Sequence, residues 1–152
     1  MDTIKQILVV SRMTKHCAKA VHYGVSLAKK YGAGLTIVHV IHDPFGIDGW
    51  SLPVPNLGKD YQDLLKTARQ QLNEIIEKEN EGGMHIDVLM REGDPTSEIQ
   101  SVVENKKIDL AIMLAHEEGR LEHFLFGRSN EELIRKMPCS ILLVKKEPGP
   151  AN

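Results

Sequence analysis

The triplet Gly127-Arg128-Ser129 has the residue types in this sequence that are best suited to hold an anion. It stands directly before a segment of helical character, and backbone N–H groups at the start of a helix attract negative charge. Arg128 would add a guanidinium group that pairs with phosphate or carboxylate oxygens. The same residues also fit a plain turn at Gly127 followed by a helix cap at Ser129. Because such caps are common, the residue types alone favour the turn and cap over the anion site.

Groups that could bind a metal or catalyse a reaction are present, but no spacing joins them. Among the seven histidines, His39, His42 and His116 are expected near one end of a sheet, yet no helical His-x-x-x-His pair supports a metal site. Cys17 is expected to be a small buried hydrophobe, and Cys139 a structural residue. No nucleophile, base and orienting group form a set, so we predict no metal and no catalytic activity.

Two alternating patterns of apolar residues define the elements that would position these groups. Short continuous apolar runs predict strands, and apolar residues at three- and four-residue steps predict helices. The predicted strands are Ile4–Val10, Leu35–Ile41, Met84–Met90, Leu110–Leu114 and Ser140–Lys145. The predicted helices begin at the N-cap Thr14, cover Lys59–Asn80, begin at Asp94-Pro95, and run from Ser129 to about Met137.

Strands that alternate with helices predict a mostly parallel sheet with helices on both faces. Ligands of open parallel sheets bind beyond the carboxyl ends of the strands. That rule nominates the stretches 11–14, 40–43 and 114–129. The long connection 42–58 contains the only tryptophan of the chain, so we expect it to make contacts rather than to be disordered.

Composition limits the class of protein. A chain of 152 residues with 41% hydrophobic content is expected to form one domain over residues 1–147, followed by a flexible tail at 148–152. The formal net charge of -2 lacks the basic surplus of nucleic-acid-binding proteins. No apolar run approaches the ~20 residues of a membrane span. With no signal-peptide pattern at the N-terminus, we expect a cytoplasmic protein.

A series of short stretches, in this order, resembles the universal stress protein domain. They are Ile7–Ser11, His39–Ile41, Arg91–Pro95, Asp109–Met113, His116, Gly127 and Pro138–Val144. The resemblance runs from about Ile4 to Lys145. It implies an α/β fold of the adenine-nucleotide alpha-hydrolase type, with an open five-stranded parallel sheet of order 3-2-1-4-5 and four helices on both faces. It also implies a cytoplasmic homodimer associated with stress survival, and some members of the family bind ATP.

The ATP-binding members share a signature of three glycines, the last of them followed by Ser or Thr, and an Asp after the first strand. The corresponding positions of this chain hold Leu114, Glu117, Gly127 followed by Arg128 and Ser129, and Arg12. A leucine side chain thus stands where the resemblance implies bare backbone beside the nucleotide. A carboxylate at ~4 Å from a phosphate oxygen repels it by about 4 kcal/mol at an effective dielectric constant of 20.

These departures predict that ordinary ATP binding is lost or very weak and that the protein has no cofactor. Ser11, Val40 and Met113 remain compatible with an adenosine pocket, and Arg12 with Arg128 could hold a different small anion. The leading hypothesis is a non-catalytic universal stress protein that works through its surface or an altered pocket.

The partner implied by the resemblance is a second copy of the chain, paired through strand five. The edge would be formed by Ile141, Leu142, Leu143 and Val144. An uncovered apolar edge would otherwise invite aggregation. Two alternatives stay open: an ATP- or AMP-binding switch that uses the same pocket, with Gly119 as a hinge, and a nucleotide hydrolase or transferase for which no convincing residue is present.

Overall fold

The structure, a computed structural model, describes residues 3–11, 17–41, 57–115 and 131–145. Strands and helices alternate along the chain. They are β1 (Gln6–Ser11), α1 (Ala18–Tyr31), β2 (Gly34–Ile41), α2 (Leu57–Glu79), β3 (Ile86–Glu92), α3 (Pro95–Lys106), β4 (Leu110–Ala115) and β5 (Ser140–Lys145). Residues 131–136 are also helical and are called α4 here.

The strands form one sheet of order β3-β2-β1-β4-β5, in which every neighbouring pair is parallel. This confirms the predicted α/β fold, including the strand order. Buried residues of α1 and α2 pack on one face of the sheet, and those of α3 and α4 pack on the other. The two faces are called the α1 face and the α3 face below.

The central strands are buried because both of their faces are covered by helices. Along β1, Ile7 and Val9 contribute to the core on the α1 face, and Leu8 and Val10 to the core on the α3 face. A strand buried on both faces needs apolar residues at successive positions, which is why these runs are continuous rather than alternating.

The structure shifts several predicted boundaries: β1 runs over Gln6–Ser11 rather than Ile4–Val10, and α2 over Leu57–Glu79 rather than Lys59–Asn80. Helix α1 begins at Ala18 with Cys17 at its N-cap, and Thr14, the expected N-cap, lies outside the described residues. Strand β3 begins at Ile86 rather than Met84. The Asn80 side chain donates to the Met84 carbonyl at 2.7 Å and accepts from its N–H at 3.0 Å, so the backbone groups of Met84 are used in a turn.

The start of α3 follows the sequence prediction. Asp94 is the N-cap, and its carboxylate accepts a hydrogen bond from the Ser97 N–H at 2.9 Å. Pro95 occupies the first helical position, where a missing N–H costs nothing.

Asp109 ties β1 to β4 at the amino edge of the sheet. Its carboxylate accepts hydrogen bonds from the backbone N–H groups of Lys5 at 2.8 Å and Gln6 at 2.9 Å. Its own N–H donates to the Gln6 carbonyl at 2.9 Å. Asp109 therefore has a structural role, because its bonds join the start of β1 to the start of β4.

Gly24 allows α1 to lie close to the sheet. A Cβ atom at this position would stand 2.5 Å from Val9 Cγ2 and 3.3 Å from Leu35 Cδ1, and both of those side chains are buried in the core. We expect Gly24→Ala to lower the free energy of unfolding by about 1–3 kcal/mol through overpacking, although alanine is the better helix former. Urea unfolding measures this change. Ser26→Ala, on the exposed side of α1, is the control and should be neutral or slightly stabilising; equal effects of the two substitutions would contradict the packing argument.

Candidate functional site

The carboxyl edge of the sheet between β1 and β4 has the geometry of a ligand site. The ladder between these strands runs from Ile7↔Leu110 to Val9↔Ile112, while β1 continues to Ser11 and β4 to Ala115. The next described helix after β1 is α1, on the α1 face, and the next after β4 is α4, on the α3 face. Doubly wound sheets bind ligands at the carboxyl ends of two adjacent strands whose following helices lie on opposite faces.

The described members of the predicted pocket lie on opposite faces of the sheet. Val40 and Met113 are buried in the core of the α3 face. Leu114 packs against the core of the α1 face, and Ser11 lies on that same face by its alternation with Ile7 and Val9. The other predicted members, Arg12, Glu117, Gly127, Arg128 and Ser129, lie outside the described residues.

The Leu114 side chain is part of the core rather than free at the edge. Leu114 is half-buried, is the register partner of Val144 on β5, and packs against the cluster that contains Ile112 and Val144. The position that is a glycine in the signature therefore carries a side chain fixed by packing in this chain.

The structure also pairs two residues that the sequence analysis did not join. Ser11 and His39 are neighbours in register on β1 and β2, and Ser11 Oγ lies 3.0 Å from His39 Nδ1. Both side chains are buried. The sequence feature that could have indicated this contact is that the apolar runs of β1 and β2 each contain one polar residue near their carboxyl ends.

Burial also sets the ionisation of this region. It lowers the pKa of His39 below its ordinary value, against the opposing effect of a hydrogen bond with the Ser11 backbone. It raises the pKa of the Cys17 thiol, against the opposing effect of a hydrogen bond with the Ser11 side chain. Both groups are therefore uncharged near neutral pH, and Cys17 lacks the thiolate character of a nucleophile.

Among the residues that the structure describes, no three His, Cys, Asp or Glu side chains stand close enough together to hold a metal ion. The thiol of Cys139, the other cysteine, is half-buried, and this burial raises its pKa. None of the helices described is both long and apolar enough to cross a membrane.

The two edges of the sheet differ in charge. On β3, Asp87 accepts from His85 Nε2 at 2.9 Å and from Lys106 Nζ at 2.9 Å. The hydrogen bonds from Lys106 and His85 lower the pKa of this carboxyl group. Charged side chains on an edge strand discourage pairing with another strand.

The β5 edge is apolar, and its four predicted interface residues are not equally exposed. Val144 is buried, and Ile141 and Leu142 are half-buried, whereas Leu143 is 47% exposed. On α4, which lies beside β5 on the α3 face, Ile134 is 41% exposed. Leu143 alternates with Ile141, which packs on that same face.

Comparison with known proteins identifies the family. The universal stress protein family matches residues 3–145. A universal stress protein of Methanocaldococcus jannaschii is 29% identical over 144 residues, covering 93% of this chain and 82% of the relative. The structure of UspA from Lactobacillus plantarum has a TM-score of 0.70 at 17% identity, covering 95% and 99% of the two chains. The structure of a universal stress protein from Archaeoglobus fulgidus in complex with dAMP has a TM-score of 0.53 at 13% identity, covering 95% and 100%. The chain belongs to the universal stress protein family.

Proposed function

We propose that this universal stress protein is a non-catalytic, homodimeric regulatory protein of the stress response whose nucleotide pocket is altered so that ATP is not an ordinary ligand. The observation that carries the proposal is Leu114, half-buried against the core at the carboxyl end of β4. A universal stress protein from Archaeoglobus fulgidus was solved in complex with dAMP, so adenine nucleotides are the ligand class against which this pocket is to be tested.

Leu114 is costly to displace. Full burial of a leucine side chain contributes ~1.5–3 kcal/mol, so moving this half-buried one into solvent costs about 1 kcal/mol before any strain in β4. Its register partner Val144 and its neighbour Ile112 are both buried, so the Leu114 side chain rests against fixed core residues on the α1 face.

Charge adds to this steric effect. Glu117 occupies the second glycine position of the signature, three residues after Leu114. A carboxylate there would face the phosphates of a nucleotide bound in the family manner, with a repulsion of about 4 kcal/mol at ~4 Å and an effective dielectric constant of 20. Arg12 and Arg128 offer the opposite charge, so a smaller anion than a triphosphate is the ligand class that this pocket fits best.

The partner that we propose is a second copy of the chain, paired along β5. The contrast between the edges supports this assignment, because β3 carries Asp87, Arg91 and Glu92, whereas β5 exposes Leu143 and carries a charge only at Lys145, its last residue. Edge strands expose unpaired N–H and C=O groups, and a largely apolar edge is stable in solution when it is covered. Two-fold pairing of identical edges covers both at once.

We further propose a cytoplasmic location. Neither Cys17 nor Cys139 forms a disulfide, which fits a reducing compartment.

An AMP- or ATP-binding switch is the second candidate, and the dAMP-bound relative favours it. AMP would meet Leu114 but, with one phosphate group, would carry less negative charge toward Glu117 than a triphosphate. The two functions therefore differ in what the purified protein carries.

The proposal predicts that the purified chain carries no adenine nucleotide. The protein is to be purified without added nucleotide and denatured, and the released small molecules identified by mass spectrometry. We expect ATP, ADP, AMP and cyclic AMP at far below one molecule per chain, together with no metal-dependent hydrolysis of ATP. One adenine nucleotide per chain would establish the switch instead.

A further inference from the structure

A buried polar pair lies at the carboxyl ends of β1 and β2. Ser11 has no exposed surface and His39 is 6% exposed, and Ser11 Oγ is 3.0 Å from His39 Nδ1. The strand residues that precede the pair on the same face, Val9 on β1 and Ile37 on β2, are apolar and without exposed surface. An imidazole in such surroundings is stable as the neutral ring with its hydrogen bond made.

We propose that the Ser11–His39 pair is an acid-sensitive latch, which holds the carboxyl end of β1 and the start of α1 while His39 is neutral and releases them when the ring takes up a second proton. A neutral imidazole has one N–H donor and one acceptor nitrogen, whereas the charged ring has two donors and a full positive charge. Protonation therefore changes which hydrogen bonds the ring can make with Ser11, and it places a positive charge inside the core.

Within residues 3–11, 17–41, 57–115 and 131–145, the side chain shown to contact His39 is that of Ser11, which offers a positive charge no counter-ion. The Ser11 side chain also hydrogen-bonds the neutral thiol of Cys17 at the start of α1, and the register partner of His39 on β3 is Met90. The start of a helix carries partial positive charge, which disfavours a nearby cation. The described charged residues at the carboxyl end of β3 and in the first half of α2 are exposed to solvent: Arg91, Glu92, Asp63, Lys66 and Arg69.

The direction of the pH dependence follows from burial. Because folding lowers the pKa of His39, the folded state binds this proton less well than the unfolded state does. Stability from the neutral pair is complete above the unfolded pKa of about 6.5 and declines as the pH falls from there toward the lower folded pKa. The latch would give a stress protein a direct response to acidification, whether or not its pocket holds a ligand.

Removal of the titrating group tests the latch. In His39→Asn the side-chain amide can still hydrogen-bond Ser11 but cannot become charged in this range. Urea unfolding and amide hydrogen exchange are to be measured at about pH 7.5 and about pH 5.5, which bracket the ordinary histidine pKa. We expect the wild type to lose stability at the lower pH, with faster exchange at residues 9–11 and 18–21, and His39→Asn to lose much less. His22→Asn, an exposed histidine of α1 whose Nδ1 lies 2.7 Å from Glu79 Oε2, is the matched control and should behave like the wild type.

Two measurements keep the test decisive if His39→Asn folds poorly. NMR titration of the wild-type ring should give His39 a pKa below its ordinary value, and a value at or above it would overturn the latch. Ser11→Ala keeps the histidine but removes its partner, so exchange at residues 9–11 should already be fast near neutral pH. Equal pH dependence of the wild type and His39→Asn, or slow exchange in Ser11→Ala, would also overturn it.

Discussion

Leu143→Arg is expected to convert the proposed dimer into a monomer. Leu143 is 47% exposed at the centre of an apolar edge strand, and two-fold pairing brings the two copies of β5 together. A guanidinium on each copy would face an apolar surface and its own symmetry mate. A loss of about 2.8 kcal/mol would weaken association roughly 100-fold. Sedimentation analysis at micromolar concentration measures the change.

A control variant shows whether the effect depends on β5 or follows from replacing any exposed apolar side chain by arginine. Tyr31→Arg replaces a side chain that is 48% exposed on α1, a helix that packs over β1, β2 and β4. This variant should remain a dimer with unchanged sedimentation. If the wild-type chain sediments as a monomer, or if Leu143→Arg stays dimeric, β5 is not the dimer interface.

The second large effect is expected from restoring the glycine signature. Leu114→Gly combined with Glu117→Gly removes both the side chain that occupies the pocket edge and the opposing carboxylate. We expect affinity for Mg-ATP to rise roughly tenfold or more, since the removed repulsion alone amounts to as much as about 4 kcal/mol. Calorimetric titration of the double variant against the wild type measures the gain.

The single variants show how much of the gain in Mg-ATP affinity comes from removing the Leu114 side chain and how much from removing the Glu117 carboxylate. Glu117→Gly alone should give only part of this increase, because Leu114 still stands against the core. Leu114→Ala keeps more packing than glycine and is the alternative if the double variant unfolds. A double variant that is folded, as judged by its thermal unfolding, and binds no better than the wild type would show that these residues do not close the pocket.

The fold was predictable because its local patterns agree with its packing. The apolar run at the C-terminal end predicts β5 at Ser140–Lys145, and the structure has the same bounds. Asp94-Pro95 predicts the start of α3, since a carboxylate acceptor and an N1 proline are suited only to a helix N-terminus. The predicted start of β3 was wrong because the Asn80 side chain hydrogen-bonds the backbone N–H and C=O groups of Met84. An apolar pattern does not show that a side chain competes with the sheet for these backbone groups.

The site was predictable only in part, because register and face decide which residues meet. The sequence placed Ser11, Val40 and Met113 at one end of the sheet, but strand alternation puts the first on the α1 face and the other two on the α3 face. The Ser11–His39 contact depends on the pairing of β1 with β2 at Ser11↔His39, and this register is fixed by the packing of both faces together.

The altered pocket is tested most directly by calorimetric titration of the wild-type protein with Mg-ATP, at protein concentrations high enough to detect micromolar binding. We expect no saturable heat, because Leu114 and Glu117 stand at two glycine positions of the ATP-binding signature. A saturable isotherm with one ATP per chain and a micromolar dissociation constant would contradict it.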